Sequence, residues 1–557
     1  MPRLEAFPPE VFMRIIECLV ATIGVYKVVR VRLVNKAFND SVQSAICNPQ
    51  VIDIFDPAAP RLPVQIPIAL KGMVLLRKSY APTTLLGQDP ALFAIASVNQ
   101  ALDVLTQPTD EERTKQHRLI AEEVALRYRY SSYGLTSGVA ACGPTEQMVF
   151  CGAIILGNLP LVEELLERRQ PPLPSVNDWV PYFGRPLPLA AAWGHVDIVR
   201  YLLSRGANPR AVNANEWTGE DGEGYEWEPY IYLYVGYKHI HRHPEVIPLG
   251  VAALGGHEDI VNLLLQPEHR PSTLKKEYFL AMVLAAKGGH IRLLHLLDSI
   301  LVESTGKSWP GYPGVGEVML WEASRHGHED IVNILAENGV DLNADPGPYF
   351  TSSGPALRNA AAEGNVSMAR LLLDLGANPD YSIPSTPCPV EAAASRGHED
   401  VLELIISRSK CPTPESNASM ALRDASRHGQ AHIVRWLVGR YPDLLERPLN
   451  PGAVSTLGRQ AMELAVHSKN LTVISALVDL GVPLNCGDAE VSYPVITAKE
   501  VAAQWVVDHL LKLGADDHDF VWNVRCGTDL IEGDELCQPQ RGSIYVSRRT
   551  WQWVGKY

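Results

Sequence analysis

The heptapeptide Gly-His-Glu-Asp-Ile-Val-Asn occurs twice in this chain, at 256–262 and at 327–333. Related segments follow other glycines, so that glycines of this type stand at positions 157, 194, 256, 289, 327, 364, 397 and 429. They are 32 to 38 residues apart, except for one interval of 62 residues that holds an insertion. A fixed period of this length predicts stacked repeat units and not a single globular core.

The residues around each of these glycines predict two helices joined by a turn. An apolar, alanine-rich stretch precedes the glycine, as in Leu187 to Ala191, and small residues there let two helices approach closely. After the glycine, Ile198, Val199, Leu202 and Leu203 have the spacing of an amphipathic helix. A second glycine, such as Gly206, ends that helix. Each unit is therefore predicted to be a helix, a turn, a second helix and an extended loop.

This pattern resembles the ankyrin repeat, although Arg185-Pro186-Leu187-Pro188 replaces the family's Thr-Pro-Leu-His opening. The matching residues of one unit are Pro186, Leu187, Leu189, Ala190, Ala191, Gly194, His195, Ile198, Val199, Leu202, Leu203, Gly206 and Ala207. The resemblance implies an all-α ankyrin-repeat solenoid of helix-turn-helix units with hairpin loops. We expect about ten repeats over 146–516, an insertion at 211–246, and a C-terminal cap or an exposed partner-binding tail at 517–557.

The N-terminal segment 1–48 lies outside the repeats and predicts two or three short helices. Its residues Phe7, Pro8, Glu10, Val11, Ile15 and Leu19, followed by Val31, Leu33, Val34, Asn35, Lys36 and Phe38, resemble the F-box, a small helical domain that docks on the Skp1 adaptor of cullin-RING ubiquitin ligases. Phe7 replaces the usual leucine, and Asn35 replaces the usual cysteine or serine. The resemblance implies Skp1 binding through Phe7, Pro8, Val11, Ile15, Leu19, Val34 and Phe38. The alternative is a helical pair that only caps the solenoid.

Between this motif and the repeats, residues 49–145 contain many prolines and predict helices near 91–105 and 111–128. We interpret this segment as an irregular, helical connector or degenerate cap packed on the first repeat, because an array needs its end covered.

Composition narrows the class of partner and the compartment. The 49 basic and 63 acidic residues give a net charge of −14, which argues against general affinity for nucleic acid or anionic membranes. Nine cysteines without a Cys-x-x-Cys pair indicate reduced thiols. The chain has no signal-peptide pattern and no run of about 20 apolar residues. We therefore expect a cytoplasmic or nuclear protein that does not enter membranes.

Motifs that suggest chemistry are incomplete. His257-Glu258, His328-Glu329 and His398-Glu399 begin like the His-Glu-x-x-His zinc motif, but Val261, Val332 and Leu402 occupy the second histidine position. These histidines are instead predicted to bond backbone across the turn. We predict no catalytic, cofactor-binding or metal-binding residue, and an enzyme with its activity in the insertion or the C-terminus is the least supported hypothesis.

The insertion at 211–246 is rich in aromatic residues, including Trp217 and Trp227, and contains His239, His241 and His243. Alternation places the three histidines on one face of an extended strand, where they would suit a metal. The other interpretation is an enlarged hairpin finger. Because aromatic residues are enriched at binding hot spots, we predict that Trp217 and Trp227 contact a partner.

The residues just before each turn glycine are variable in ankyrin repeats and face the groove. Here they include Trp193, Lys287, Arg325, His326, Arg396, Arg427 and His428. This mostly basic row suits an acidic partner segment, or else it only solvates the helix ends. The leading functional prediction is a non-enzymatic substrate-recognition adaptor of a Skp1-cullin-type ubiquitin ligase, with an ankyrin scaffold as the alternative. Neither partner identity nor oligomeric state follows from the sequence.

Overall fold

A computed structural model describes residues 8, 10–18, 41–42, 44–45, 68–80, 90–127, 146–167, 174–210, 247–274, 276–344, 355–381, 387–411, 414–449, 455–485, 494–501 and 503–517. These residues form helices and turns, with no strand beyond two isolated bridges, Val180 with Gly184 and Pro448 with Thr456. The predicted all-α fold is thus confirmed. The chain divides into two compact units, Met1–Met319 and Leu320–Tyr557.

From residue 146 onward, the described residues form ten helix pairs, which we number repeats 1 to 10. The pairs are Glu146–Ile155 with Leu159–Glu167, Pro186–Ala192 with Val196–Ser204, Pro248–Gly255 with Glu258–Leu264, Lys276–Gly288 with Ile291–Thr305, Val315–His326 with Glu329–Glu337, Ala356–Glu363 with Val366–Asp374, Pro389–Arg396 with Glu399–Arg408, Pro414–His428 with Ala431–Arg440, Leu457–His467 with Leu471–Asp479, and Pro494–Glu500 with Gln504–Lys512. Short 3-10 helices lie at Trp309–Gly311 and Pro442–Glu446.

Within a pair, the turn forms where the sequence register places its glycine. All eight glycines used to define the register have positive φ, between 68° and 82°. Repeat 9 has Lys469 at this position, with a φ of 59°. Since this left-handed backbone costs an L-residue free energy and glycine almost none, the glycine fixes where the first helix stops.

Within repeats 1 to 4 and within repeats 6 to 10, the first helices of neighbouring repeats pack closely on one another, and the second helices pack more loosely. In repeats 3 and 4 the contact is made by alanines such as Ala252, Ala253, Ala285 and Ala286, which are fully buried. The second helices bury their apolar stripe, as Ile198, Val199 and Leu202 do in repeat 2. Small side chains between the first helices therefore allow close packing, and larger side chains between the second helices keep these further apart.

Three helices precede the repeats, at Ile68–Ser79, Pro90–Thr106 and Asp110–Arg127. The second and third begin and end within a residue of the predicted 91–105 and 111–128, and the third starts at a capping box in which Thr109 N donates to Glu112 Oε2 at 2.9 Å. The first was not predicted, because prolines flank it closely. All three pack on one another, and Pro90–Thr106 also packs on the first helix of repeat 1. This contact covers the apolar end of the array.

In the N-terminal segment, residues 10–18 are helical and the Phe12 amide donates to the Pro8 carbonyl at 3.0 Å. Ile16 is 1% exposed and Phe12 is also buried, whereas Val11 is 44% exposed and Ile15 is half-buried. Phe12 and Ile16 therefore face the interior, whereas Val11, one of the residues of the F-box-like motif, is exposed. The aromatic ring is the larger apolar surface, so its burial is favoured.

Candidate protein-binding surface

The C-terminal ends of the first helices carry the residues that the sequence predicted for the groove. In several repeats they are held in place by the residue after the turn glycine, which reaches back to the preceding repeat. His195 Nε2 lies 3.2 Å from the Ile155 oxygen, and His398 Nε2 lies 3.1 Å from the Ala362 oxygen. Because a carbonyl can only accept, Nε2 carries the proton. Burial lowers the pKa of His195, which favours this neutral form.

The same position uses other amides where histidine is missing. Gln430 donates through Nε2 to the Ser395 oxygen at 3.0 Å, and Asn470 donates through Nδ2 to the Arg427 oxygen at 2.8 Å. Each accepting carbonyl belongs to the residue two positions before a turn glycine. The bond therefore crosses to the previous repeat. The sequence correctly predicted a bond from the side chain to the backbone, but the accepting oxygen belongs to the preceding repeat and not to the same turn. These hydrogen bonds between repeats fix the helix ends that carry the basic row.

In repeats 5 to 7 the structure brings two predicted residues of the row together. Arg325 Nε lies 3.7 Å from Glu363 Oε1, and Arg396 Nη1 lies 3.5 Å from the same oxygen. Arg325 and Arg396 are half-buried, and Glu363 is exposed. One carboxylate oxygen is thus shared by guanidinium groups from two repeats that are not adjacent in sequence.

Arg358 belongs to the same cluster and was missed by the sequence prediction. Burial lowers its pKa, the positive charges of Arg396 and Arg325 lower it further, and Glu363 opposes them. Arg358 stands six residues before the turn glycine and five before Glu363. The prediction considered only the two residues nearest the glycine. A search of the preceding turn for basic side chains would have found it.

Beneath Arg325 lies a buried carboxyl group. Glu322 is 1% exposed, and burial raises its pKa to about 7, with Arg325 acting in the opposite direction. His326 Nδ1 donates to the Glu322 backbone oxygen at 2.9 Å and lies 3.8 Å from the carboxylate. His326, a predicted groove residue, is therefore tied to its own helix, with its ring exposed.

The same arrangement of a carboxyl residue, an arginine and a histidine occurs in repeat 8. Its sequence Asp-Ala-Ser-Arg-His-Gly at 424–429 corresponds to Glu-Ala-Ser-Arg-His-Gly at 322–327 in repeat 5. His428 Nδ1 donates to the Asp424 oxygen at 2.9 Å. Burial and the nearby Glu391 raise the pKa of Asp424 to about 6, against Arg427, His428 and Arg423. Arg427 and His428 are exposed, as the predicted groove role requires.

The unit Met1–Met319 contains two of the predicted groove residues, Trp193 and Lys287. Trp193 donates through Nε1 to Glu123 Oε2 at 2.9 Å, and Glu123 is buried in the helix Asp110–Arg127. Trp193 thus joins repeat 2 to the helices that precede the array. Lys287 is half-buried at the end of its helix.

The remaining predicted site residues lie outside the described residues. They are Phe7, Leu19, Val34, Phe38, Trp217, Trp227, His239, His241 and His243, together with segment 518–557. Among the residues that are described, no group of three or more His, Cys, Asp or Glu side chains is arranged to hold a metal ion. Nor does any helix in those ranges combine the length and apolar character needed to cross a membrane.

Comparison with known families identifies the repeats. Residues 249–346 match the family described as Ankyrin repeats (3 copies), 186–214 match Ankyrin repeat, and 320–373 match Ankyrin repeats (many copies). The chain therefore contains ankyrin repeats, as predicted. Ankyrin repeat domains are generally non-enzymatic interaction modules, and they indicate a protein–protein interaction role for this chain.

Similar proteins match only in part. The chain is 25% identical over 239 residues to glycerophosphocholine phosphodiesterase GDE1 of Candida albicans, and 24% identical over 221 residues to Rabankyrin-5 of Mus musculus. These alignments cover 41% and 37% of this chain but 18% of each relative's length. The crystal structure of the human ASB11 ankyrin repeat domain matches 42% of this chain and 99% of that domain, at 20% identity and a TM-score of 0.31.

Proposed function

We propose that this chain is a non-enzymatic adaptor that binds a partner protein on its ankyrin array and docks through its N-terminal helices on the Skp1 adaptor of a cullin-type ubiquitin ligase. The array supplies the binding surface described above. The adaptor's contribution to the reaction is proximity, because it holds the partner near a ubiquitin-charged enzyme. This role belongs in the cytoplasm or the nucleus.

The observation that carries the Skp1 proposal is the two-sided helix at residues 10–18. Phe12 and Ile16 anchor it to the interior, while Val11 and Ile15 turn an apolar edge outward. Exposed apolar side chains on a fixed helix suit a partner helix better than water. In this arrangement one face of the helix packs against the folded chain, and Val11 on the other face is exposed for docking.

Co-purification with Skp1 tests the proposal. Tagged full chain should retain Skp1 from a mixture of purified proteins, and Val11→Asp should abolish retention because it places a charge in an apolar contact. Val104→Asp is the matched control, since Val104 is 71% exposed on another helix and lies outside the F-box-like segment. Equal retention by wild type and Val11→Asp would refute the docking surface.

A second candidate is an ankyrin scaffold whose N-terminal helices act only as a cap. It is favoured by the complete burial of Val42 and Ala45 and the near-complete burial of Ile16, which tie this segment to the folded chain. A scaffold predicts that deleting residues 1–48 lowers the melting temperature but leaves partner binding intact. The adaptor predicts that the deletion also removes Skp1.

A further inference from the structure

The arginine cluster of repeats 5 to 7, made by Arg325, Arg358 and Arg396 around Glu363, has a geometry that a row of separate basic residues does not. Arg325 and Arg396 approach the same oxygen, Glu363 Oε1, from repeats on either side of it. Arg358 shares the helix of Glu363 and is close enough for its pKa to be lowered by both other arginines. Arg325 and Arg396 therefore converge on a single oxygen atom, and Arg358 adds a third positive charge to the cluster.

Glu363 does not use the hydrogen-bonding capacity of Arg325 and Arg396. Its contacts of 3.5 and 3.7 Å exceed the roughly 2.7–2.9 Å of a charge-assisted hydrogen bond. Within the described part of the chain, Arg325 and Arg396 make no side-chain hydrogen bond, and both are half-buried at the surface. Their donors are thus available to an incoming anion at a site that already attracts a carboxylate.

The arginine cluster also carries an excess of positive charge, unlike the group of charged residues around Asp424. Three arginines face one glutamate, with Glu322 below as a buried carboxyl that is only partly ionised near neutral pH. In repeats 7 and 8, by contrast, two carboxyl groups, Glu391 and Asp424, lie among the basic groups Arg427, His428 and Arg423. In a chain of net charge −14, the arginine cluster is a local exception.

We propose that this cluster binds a phosphorylated serine or threonine of the partner protein. A phosphate monoester carries a charge of about −1.5 to −2 at pH 7 and three acceptor oxygens on one atom, which matches guanidinium forks converging on one point. An acidic segment spreads single charges along the chain and suits a spread row better. The inference rests on the proposed function, because it assumes that the first-helix ends form the protein-binding surface.

Fluorescence anisotropy with three degenerate peptide pools, identical except for a central phosphoserine, serine or glutamate, tests the inference on the full chain. The phosphoserine pool should bind at least about tenfold more tightly than the others, and Arg396→Gln or Arg358→Gln should remove about tenfold or more of that affinity. Glu363→Gln should strengthen binding by removing the competing carboxylate, a gain that misfolding cannot produce. Arg370→Gln, at an exposed position on the second helix of repeat 6, is the charge-matched control and should change nothing.

Three results would overturn the inference. They are equal binding of the phosphoserine and glutamate pools, a phosphoserine preference that survives both arginine substitutions, and tighter binding to phosphatidylinositol-phosphate vesicles than to the phosphoserine pool. A partner that binds the array in wild type and in Arg396→Gln alike would remove the inference and leave the proposed function standing. Loss of Skp1 retention bears only on the proposed function.

Discussion

The imidazole of His257 spans the boundary between repeats 2 and 3, with Nε2 3.2 Å from the Ala192 carbonyl oxygen. Ala192 is the last residue of the preceding first helix, so that its carbonyl has no partner within the helix. This hydrogen bond therefore supplies a donor to the last carbonyl of the helix and joins two repeats.

Removing this bond should weaken the repeat interface. His257→Ala is expected to lower the free energy of unfolding of the array by about 1 kcal/mol, the usual contribution of one hydrogen bond. His257→Gln should retain most of the stability, since Gln430 makes the equivalent bond in repeat 8. Urea denaturation followed by tryptophan fluorescence measures both. Equal loss in the two variants would mean that the ring packs and does not donate.

The turn glycines should differ in their tolerance of a side chain. A β-carbon at Gly194 would lie 2.6 Å from Cε1 of His257, whereas one at Gly206 would meet nothing within 4 Å. Both residues have positive φ, so that each alanine substitution carries a similar backbone cost of about 1 kcal/mol. Gly194→Ala should therefore destabilise more than Gly206→Ala.

A double-mutant cycle isolates the reason for that difference. Combining Gly194→Ala with His257→Ala should cost less than the sum of the single changes, because the ring that clashes is already absent. Strict additivity in melting experiments would show that the clash is not the cause.

Glu322 should make the stability of the second unit depend on pH. Its pKa in the folded state, about 7, lies above the ordinary value of 4.5, so that the folded state holds an extra proton between these values. Stability therefore falls as pH rises from about 4.5 to 7, and the loss is complete above that. Glu322→Gln should stabilise the protein at pH 8 by up to about 3 kcal/mol and have little effect at pH 4. Denaturation of both proteins at several pH values checks this, and a constant difference would contradict it.

Trp193 should prove to stabilise the fold. Trp193→Phe keeps the apolar ring but removes the donor to the buried Glu123, and we expect a loss of about 1–3 kcal/mol. Partner affinity, measured at a temperature where both proteins are folded, should stay within about twofold. A large loss of affinity with unchanged stability would return Trp193 to the binding surface.

The sequence predicted the repeats well because their determinants are local and recur. Glycines with positive φ and alanines between close helices leave a visible period, and the structure has the helix pairs where that period places them. The helix Ile68–Ser79 leaves no such period and was missed. The burial of Phe12 in place of Val11 depends on long-range packing, which periodicity over one short helix does not determine.

The candidate surface was predictable only in part for the same reason. Arg325 and Arg396 stand at fixed distances from turn glycines and were identified. Their convergence on Glu363, and the addition of Arg358, depend on how three repeats stack. The hydrogen bond from Trp193 to Glu123 joins residues 70 apart in sequence, and no local sequence pattern indicates it.

The adaptor proposal depends most directly on the affinity of the full chain for purified Skp1, measured by isothermal titration calorimetry. The account predicts saturable one-to-one binding by wild type and by Val104→Asp, and no detectable heat for Val11→Asp or Ile15→Asp at unchanged melting temperature. No binding by the wild type, or equal binding by all four proteins, would contradict it.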